Sequence, residues 1–259
     1  MLMLLTGQAD DLIYQLMPGV EQGSSIWLIA FVLVSSWPLL AGFMLDMAIG
    51  DPRWLPHPIR LIGWSIKTME KLLRSGTNSD SRKLRRRGAA LAVLIPLMTA
   101  LASAALLLLA WKLHFVVGLI LETVFCWLIL ATRSLMTETR PVHQALDHGD
   151  LEAARERISW LVGRDTAELD RENIVKAAVE TIAENTNDGV TAPLFYMALG
   201  GPVLGMAYKA INTLDSMVGY RNEHYIFFGR CSARLDDAAG FLTARISALL
   251  MIIAAALLK

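Results

Sequence analysis

The chain has 259 residues, of which 54% are hydrophobic and only 19% are charged, and its formal net charge is zero. Soluble domains are nearer a quarter charged, so this composition argues against an ordinary soluble domain. A net charge of zero gives no overall attraction to polyanions, and we expect no nucleic-acid partner. The two cysteines, Cys126 and Cys231, indicate neither a disulfide framework nor a metal site.

Four apolar segments are predicted as membrane helices. Each holds at most one charged residue: 26–49 (Asp46), 88–110 (none), 113–132 (Glu122) and 241–258 (Arg245). About 20 apolar residues in a helix span the hydrocarbon core of a bilayer. We therefore predict an all-α, polytopic helical membrane protein.

Basic residues set the predicted orientation. Residues 1–25 contain no Lys or Arg, whereas 51–87 contain ten. By the positive-inside rule, we expect 1–25 to be extracytoplasmic and 51–87 to face the cytoplasm, in the cell's inner membrane. The basic run at 82–87 also suggests a nucleic-acid contact, but we interpret it as a topology signal beside a membrane helix.

The remaining chain, 26–259, is predicted as a single membrane domain. Its helices at 88–110 and 113–132 should be joined by a short outer turn at Trp111 and Lys112. The chain then returns to the cytoplasm, where 133–189 should form a soluble helical insert.

Capping residues give the expected helix bounds within this insert. Asp150 is a plausible N-cap for a helix over 151–162, with Gly163 as its C-cap. Asp165 with Glu168 fits a capping box for the next helix. Polar residues and a glycine at 185–189 predict the end of that helix.

The segment 190–211 is apolar but is interrupted by Gly200, Gly201 and Pro202. Broken apolar segments at membrane depth need protein or a cavity to satisfy their backbone, and they often build sites. We predict two half-helices that form a re-entrant hairpin. The alternative is one kinked helix that spans the membrane.

Acidic residues precede this segment. Glu180 and Glu184 lie four residues apart on one helix, followed by Asn185 and Asp188. Like charges at this spacing repel unless a cation joins them, and oxygen ligands suit Mg²⁺. An ordinary solvated acidic face is the alternative.

Polar residues also follow the broken segment. Asn212, Asp215, Ser216 and Gly219 share one helical face, with Lys209 nearby. Ionisable groups at a membrane boundary suggest a functional site. The alternative is a polar helix end with a snorkelling lysine.

Two further groups are candidates. Arg221, Arg230 and Arg234 suit bidentate contact with phosphate or carboxylate, although a positive-inside signal explains them equally well. Asp51 and His57 lie in the turn after the first membrane helix, where His57 is either a general base or a capping loop histidine.

Taken together, these motifs resemble the adenosylcobinamide-phosphate synthase family of CobD/CbiB cobalamin biosynthesis proteins, from about residue 41 to 259. The resemblance rests on Gly63 and on six stretches: GDPRWLPHP at 50–58, VGRDT at 162–166, ETIAENTNDG at 180–189, APLF at 192–195, KAINTLDSMVGY at 209–220 and ARLDD at 233–237. Family members usually continue further, so we expect the chain to lack the usual C-terminal segment.

The resemblance implies an ATP-dependent amide ligase that joins aminopropanol, or its phosphate, to a propionate of adenosylcobyric acid. On this basis we expect the substrates to be ATP, a corrinoid and an aminopropanol-type amine, the cofactor to be Mg²⁺, and other membrane-bound pathway enzymes to be possible partners. The expected roles are metal binding by Glu180, Glu184 and Asp188; catalysis by Asp215, His57 and Lys209; and substrate or phosphate binding by Asn185, Asn212, Ser216, Arg221, Arg230, Arg234 and Asp51.

Two other functions stay open at this point. One is a non-catalytic corrinoid-binding or scaffold subunit of a membrane complex. The other is a Mg²⁺-dependent membrane transferase that acts on a phosphorylated lipid.

Overall fold

The structure, a computed structural model, describes residues 13–15, 17–19, 21–52, 54, 57–75, 80–163 and 165–258, with side chains described for all of these except 28–35. Within these residues the regular elements are helices, and there is no strand. The predicted all-α class is therefore confirmed. Much of the predicted extracytoplasmic segment 1–25 lies outside the described residues.

The helices follow one another with short connections. In chain order they are α1 (Ser25–Ile49), α2 (Pro58–Arg74), α3 (Ser81–Leu113), α4 (Phe115–Ile129), α5 (Thr132–Asp147), α6 (Leu151–Ser159), α7 (Arg171–Thr186), a π-helical turn (Asn187–Thr191), α8 (Ala192–Val218) and α9 (Arg230–Leu257).

The apolar helices form a membrane domain. By length and composition, four helical stretches of the described chain could cross a membrane. They are Ser81–Leu113 (α3), Phe115–Asp147 (α4 with α5), Arg171–Val218 (α7, the π-helical turn and α8) and Arg230–Leu257 (α9). Many large apolar side chains on them are exposed, including Leu101 on α3 and Ile252 on α9. So much exposed apolar surface is typical of lipid contact rather than of a soluble monomer. The prediction of a polytopic membrane protein is confirmed.

The turn between α3 and α4 differs from the prediction. It lies at His114, whose Nδ1 accepts a hydrogen bond from the Val116 amide and so caps α4. Trp111 belongs to α3 and is fully buried, with its indole N–H donating to Glu122 at 3.1 Å. A turn at Trp111 and Lys112 would remove this buried partner, so the predicted position is wrong.

Helices α5, α6 and α7 have a small core of their own. Its buried residues are Val142, Ala154, Ile158, Ile174 and Ala177. The two ends of this unit meet, because the Ala131 amide donates to the Gly189 carbonyl at 3.0 Å. The unit corresponds in extent to the predicted insert, 133–189.

The caps within this unit are partly as predicted. Asp150 does cap α6, by accepting from the Ala153 amide at 3.0 Å. However, α6 ends at Ser159, so the C-cap expected at Gly163 is wrong. The expected capping box is also wrong: Asp165 accepts from the nearby Ala167 amide. Helix α7 begins later, at Arg171, and its N-cap is Asp170.

Asp170 accepts from the Asn173 amide at 2.8 Å. At the other end, α7 ends at Thr186, within the predicted range 185–189, but the chain does not leave helical geometry there. The chain continues through the π-helical turn into α8, and the Ala192 amide donates to the Asn187 carbonyl. This hydrogen bond spans five residues, one more than in an α-helix, and it keeps the backbone satisfied where α7 ends, so the chain passes into α8 without a loop. Single π-turns are frequent at functional sites.

Helix α8 is broken in its middle and folds back as a hairpin. Gly200 and Gly201 have non-helical backbone angles, and Gly201 has φ of +64° with ψ of −167°, a region occupied essentially only by glycine. The rings of Tyr196 and Tyr208 stack at 4.9 Å between centroids. An unbroken helix would place them roughly 18 Å apart along its axis. The predicted broken hairpin is confirmed, and a single kinked span is excluded.

The tip of this hairpin lies against α3 and α4. Met197 and Met206, one from each arm, share a buried cluster with Leu107 and Phe125. The break itself lies near Glu122, since a Cβ on Gly201 would be 3.9 Å from its Oε1. Neighbouring helices thus cover the irregular backbone, as membrane burial requires.

The second arm of the hairpin packs on a further core. Buried residues of α2, α3 and this arm meet there with Phe228: Ile62, Ile66, Leu84, Leu91, Ala92, Ile95, Ala210, Leu214 and Val218. This core joins the basic start of α3 to the polar end of the hairpin.

Candidate functional site

The open end of the hairpin holds a hydrogen-bonded polar cluster around Asp188. The Asn187 and Asn212 side-chain amides donate to its carboxylate at 2.8 and 2.9 Å, and the Tyr208 hydroxyl lies 3.4 Å away. Asp188 precedes the first arm and Asn212 lies in the second. The fold-back therefore brings together two polar motifs that an apolar segment separates in sequence.

The stacked tyrosines hold this end of the hairpin against α9. Tyr196 lies on Tyr208, and its hydroxyl donates to the Ala239 carbonyl at 3.0 Å. On the same part of α9, a Cβ at Gly240 would lie 3.6 Å from Asn187. These contacts bring the first turns of α9 to Asp188.

Further carboxylates surround Asp188. Asp236, on α9, interacts electrostatically with Asp188, Asp215 and Asp237, and Glu184 interacts with Asp188 and Asp215. One oxygen of Asp236 is buried without a hydrogen-bond partner. We call Glu184, Asp188, Asp215 and Asp236 the acidic cluster. Carboxylates that interact in this way repel one another unless a cation neutralises them.

These residues do not form a complete metal cage. In the part of the chain that is described, no three His, Cys, Asp or Glu side chains are arranged to hold a metal ion. Mg²⁺, however, usually binds through one or two carboxylates and takes its other ligands from water and substrate phosphates. The carboxylate oxygens of Asp188 and Asp236 fit the role of these one or two protein ligands, and Oδ1 of Asp236 has no hydrogen-bond partner.

Lys209 interacts with both the acidic cluster and the motif at 50–58. Its side chain is nearly buried, with a residue exposure of 9%, and it interacts electrostatically with Asp188, Asp51 and Asp46. Asp46 is fully buried and accepts from the Thr132 amide at 2.7 Å. Such burial is not typical of a snorkelling lysine, whose ammonium group reaches water.

His57 serves as the N-cap of α2. Its Nδ1 accepts from the Ile59 amide at 3.2 Å, and its Nε2 lies 3.3 Å from Asp51. With Nδ1 as acceptor, the neutral ring carries its proton on Nε2, facing the carboxylate. The Nδ1 lone pair is used by the cap, whereas Nε2 and the facing Asp51 Oδ1 are buried without a hydrogen-bond partner among the described residues. A protonated Nε2 has no lone pair, so the ring cannot act as a general base in this conformation.

The predicted arginines line one cleft beside the acidic cluster. The cleft has a volume of about 460 Å³ and is lined by Arg85, Gly219, Tyr220, Arg221, Tyr225, Ile226, Phe227, Arg230, Ala233, Arg234 and Asp237. We call it the arginine cleft. Burial, aided by the nearby Glu70 carboxylate, raises the pKa of Tyr225, so its phenol stays protonated as a donor.

The arginine cleft and the acidic cluster are adjacent. Asp215 folds back over Gly219, since a Cβ on Gly219 would be 1.8 Å from its Oδ1. Gly219 lines the cleft, and Asp237, which also lines it, interacts electrostatically with Asp215. A phosphate in the cleft would therefore lie near carboxylates able to share a cation.

Other predicted residues lie at the edge of this arrangement. Glu180 and Asn185 line a second pocket of about 470 Å³ together with Glu184. Glu180 also interacts electrostatically with Glu184, so it borders the acidic cluster. Ser216 is exposed and donates to the Asn212 carbonyl of its own helix at 3.0 Å.

Sequence reasoning missed several residues of the site. Tyr208 was hidden in an apolar segment, although it lies four residues before Asn212 on the same face. Asp46, the one charge of the segment 26–49, and Asp236, within the ARLDD stretch at 233–237, have no role in the sequence analysis. Arg85 belongs to the basic run at 82–87, which we interpret from the sequence only as a topology signal. Tyr196 gave no signal, because its stacking depends on the fold-back.

Comparisons with known proteins identify the family to which the chain is similar. A family model described as "CobD/Cbib protein" matches residues 39–259. The chain is 46% identical to Cobalamin biosynthesis protein CobD of Pelobacter propionicus, over 85% of this chain and 67% of that protein. It is 47% identical to CobD of Citrobacter koseri and 45% identical to CbiB of Salmonella arizonae, in each case over 84% of this chain and 68% of the relative. No solved structure matches it.

Proposed function

Because this chain belongs to the CobD/CbiB family, we propose that it is an ATP-dependent amide ligase of cobalamin biosynthesis. The reaction would join aminopropanol, or its phosphate, to a propionate of adenosylcobyric acid. The observation that carries the proposal is the contact of Asp188 with Asn212, which joins the two polar motifs beside the arginine cleft.

The proposed chemistry has two steps. The propionate carboxylate attacks a phosphorus atom of ATP, which forms an activated acyl group and releases ADP or pyrophosphate. The amine then attacks the acyl carbon, loses a proton and expels phosphate or AMP. Both steps need phosphate groups held in place and negative charge neutralised, because phosphoryl transfer depends mainly on positioning and electrostatics.

The residues at the open end suit these needs. Guanidinium groups of Arg221, Arg230 and Arg234 would bind phosphate oxygens in bidentate geometry. Asp188 and Asp236 would hold Mg²⁺ together with those oxygens, and Mg²⁺ would supply further charge neutralisation. Glu184 would add negative charge beside the cation, and Glu180 would lie at the border of the acidic cluster.

We assign the amine proton to Asp215 rather than to His57. Asp215 is half-buried, lies beside the arginine cleft and belongs to the acidic cluster. His57 would instead fix the motif at 50–58 by capping α2 and facing Asp51. Lys209 would hold Asp51 and Asp188 in one network, with Asn212 orienting Asp188.

The proposal also sets the orientation. ATP is cytoplasmic, so the open end of the hairpin faces the cytoplasm, together with 51–87 and the helical insert. The basic residues near this end agree with that side of the inner membrane.

Asn185 and Ser216 would contact substrate at the edge of the acidic cluster, where Asn185 lines the second pocket and Ser216 is exposed.

A ligase assay of the purified chain tests the proposal. With adenosylcobyric acid, the amine and Mg²⁺-ATP, we expect amide product in a one-to-one ratio with ATP consumed. The released nucleotide, ADP or AMP, identifies the activated intermediate. Corrinoid binding without amide formation or ATP consumption would contradict the proposal and favour a scaffold role.

A further inference from the structure

The basic run at 82–87 divides into residues with different structural roles. Arg87 donates to the carbonyls of Leu73 and Ser75 at 2.7 and 2.9 Å, and so closes the end of α2. Arg85 instead lines the arginine cleft, with its guanidinium carbon 5.1 Å from the centre of the Phe227 ring. Arg86 is exposed and lines none of the clefts described above.

A close approach of two backbones brings Arg85 to the cleft. A Cβ on Gly88 would lie 1.9 Å from the carbonyl oxygen of Phe228, so only glycine lets the chain at 219–229 touch α3 here. Arg85 lies one turn earlier on α3, beside the same loop. The contact therefore places Arg85, a residue of the basic run, against the loop at 219–229, which is distant in sequence.

The cleft has an excess of positive charge. Four arginines line it together with one carboxylate, Asp237, and in the described chain none of these four forms an ion pair. The stacking of Arg85 on Phe227 restricts the guanidinium while its N–H edges stay available to a ligand. Gathered guanidinium groups without carboxylate partners are typical of phosphate recognition.

We infer that Arg85 is a fourth phosphate-binding residue of the arginine cleft, and that the cleft takes a phosphate ester or polyphosphate group of a substrate. The phosphate could belong to the nucleotide or to a phosphorylated amine, and both share the same chemistry at the guanidinium groups. The identity of that substrate rests on the proposed function, whereas phosphate binding by the cleft does not.

The test compares two arginines of the same run. Arg85→Gln and Arg86→Gln each remove one positive charge from the predicted topology signal, but only the first alters the cleft. The probe is inorganic pyrophosphate, titrated into purified full chain in detergent, with binding followed by isothermal titration calorimetry. Wild type and Arg86→Gln should bind alike, and Arg85→Gln should bind about tenfold more weakly.

A second variant guards against misfolding. Arg85→Lys keeps the charge but loses the planar fork, so it should insert normally and still bind pyrophosphate several-fold more weakly than wild type. Equal binding by Arg85→Gln and Arg86→Gln would overturn the role of Arg85. Absence of pyrophosphate binding by the folded wild type would overturn the phosphate cleft itself.

Kinetics then identify the source of the phosphate. In the ligase assay, Arg85→Gln should raise KM for one substrate and leave the other unchanged. A rise for ATP places the nucleotide in the cleft, and a rise for the phosphorylated amine places that substrate there. If the chain shows no ligase activity, pyrophosphate binding still decides the role of Arg85, so the two failures are distinguishable.

Discussion

At the scale of single residues, the account depends most on Asp188. Its carboxylate receives the side-chain amides of Asn187 and Asn212 and lies near Tyr208, while Asp236 and Lys209 interact with it electrostatically. A carboxylate that accepts several donors and faces both a lysine and other acids is placed to organise a charged substrate.

Asp188→Asn tests this role. The substitution keeps the size of the side chain but removes its charge and directs an amide at existing donors, so ligase activity should fall on the order of 10²-fold. Glu172→Gln is the control. Glu172 lies in the first turn of α7, the helix that precedes Asp188, and its ion pair with Lys176 is exposed. It should change activity little. Equal activity of the two variants would remove Asp188 from the site.

His57 permits a second residue-scale prediction. Asparagine is a good N-cap, so His57→Asn should still cap α2 but has no imidazole to take a proton. We expect activity within a few-fold of wild type, since we assign the proton to Asp215. A loss on the order of 10²-fold in steady-state kinetics, with normal folding, would instead restore His57 as general base.

At the scale of elements, the broken helix α8 determines the site. Its breaking residues were readable from sequence, because Gly200, Gly201 and Pro202 interrupt an apolar segment. The π-turn before it was not readable, since Asn187, Asp188 and Gly189 resemble an ordinary helix end. The difference depends on tertiary contact: the Gly189 carbonyl accepts from Ala131, and Asp188 finds its partners on the second arm.

Gly201→Ala tests the importance of the break. Its backbone angles are accessible essentially only to glycine, so alanine there should cost roughly 1–3 kcal/mol and disturb the fold-back. Gly149→Ala is the control, because Gly149 also has positive φ, +73°, but has no atom within 4 Å of an added Cβ. Both variants should lower the unfolding temperature.

Only Gly201→Ala should reduce activity per folded molecule, because only this strain lies between the two halves of the site. Thermal unfolding in detergent, together with activity normalised to folded protein, separates the two effects. Full specific activity of folded Gly201→Ala would show that the site does not depend on the geometry of the break.

Other element bounds show where sequence patterns are insufficient. The turn was predicted at Trp111 and Lys112, between two apolar segments, whereas Trp111 continues α3 and its buried indole donates to Glu122. Asp165 and Asp170 are both acceptable caps, and only Asp170 accepts from an amide of α7. In the first case the deciding partner, Glu122, lies on the next helix. In the second case the two candidate caps are both aspartates, so the sequence does not distinguish them.

At the scale of the whole molecule, apolar composition predicted a membrane protein, and the polar motifs before and after the broken segment include the residues that meet at Asp188 and Asn212. The electrostatic interaction of Lys209 with Asp46 and Asp51 could not be predicted, since it relates the end of α1 to the second arm of α8. Nor could the addition of Arg85 to the cleft, which depends on the contact of Gly88 with Phe228. Both are long-range consequences of how the helices pack.

The central claim is that the motifs before and after the broken helix lie on one side of the membrane. Single cysteines at Glu184 and Ser216, both exposed positions, report on the two motifs, and a cysteine at His114 reports on the opposite end of α3. The background is Cys126→Ala with Cys231→Ser, which removes both native thiols.

Labelling with an impermeant maleimide in sealed inside-out vesicles makes the measurement. We expect Glu184→Cys and Ser216→Cys to react from the cytoplasmic face, and His114→Cys to react only after the vesicles are opened. Labelling of Glu184→Cys and Ser216→Cys from opposite faces would contradict the folded hairpin and the single site built on it.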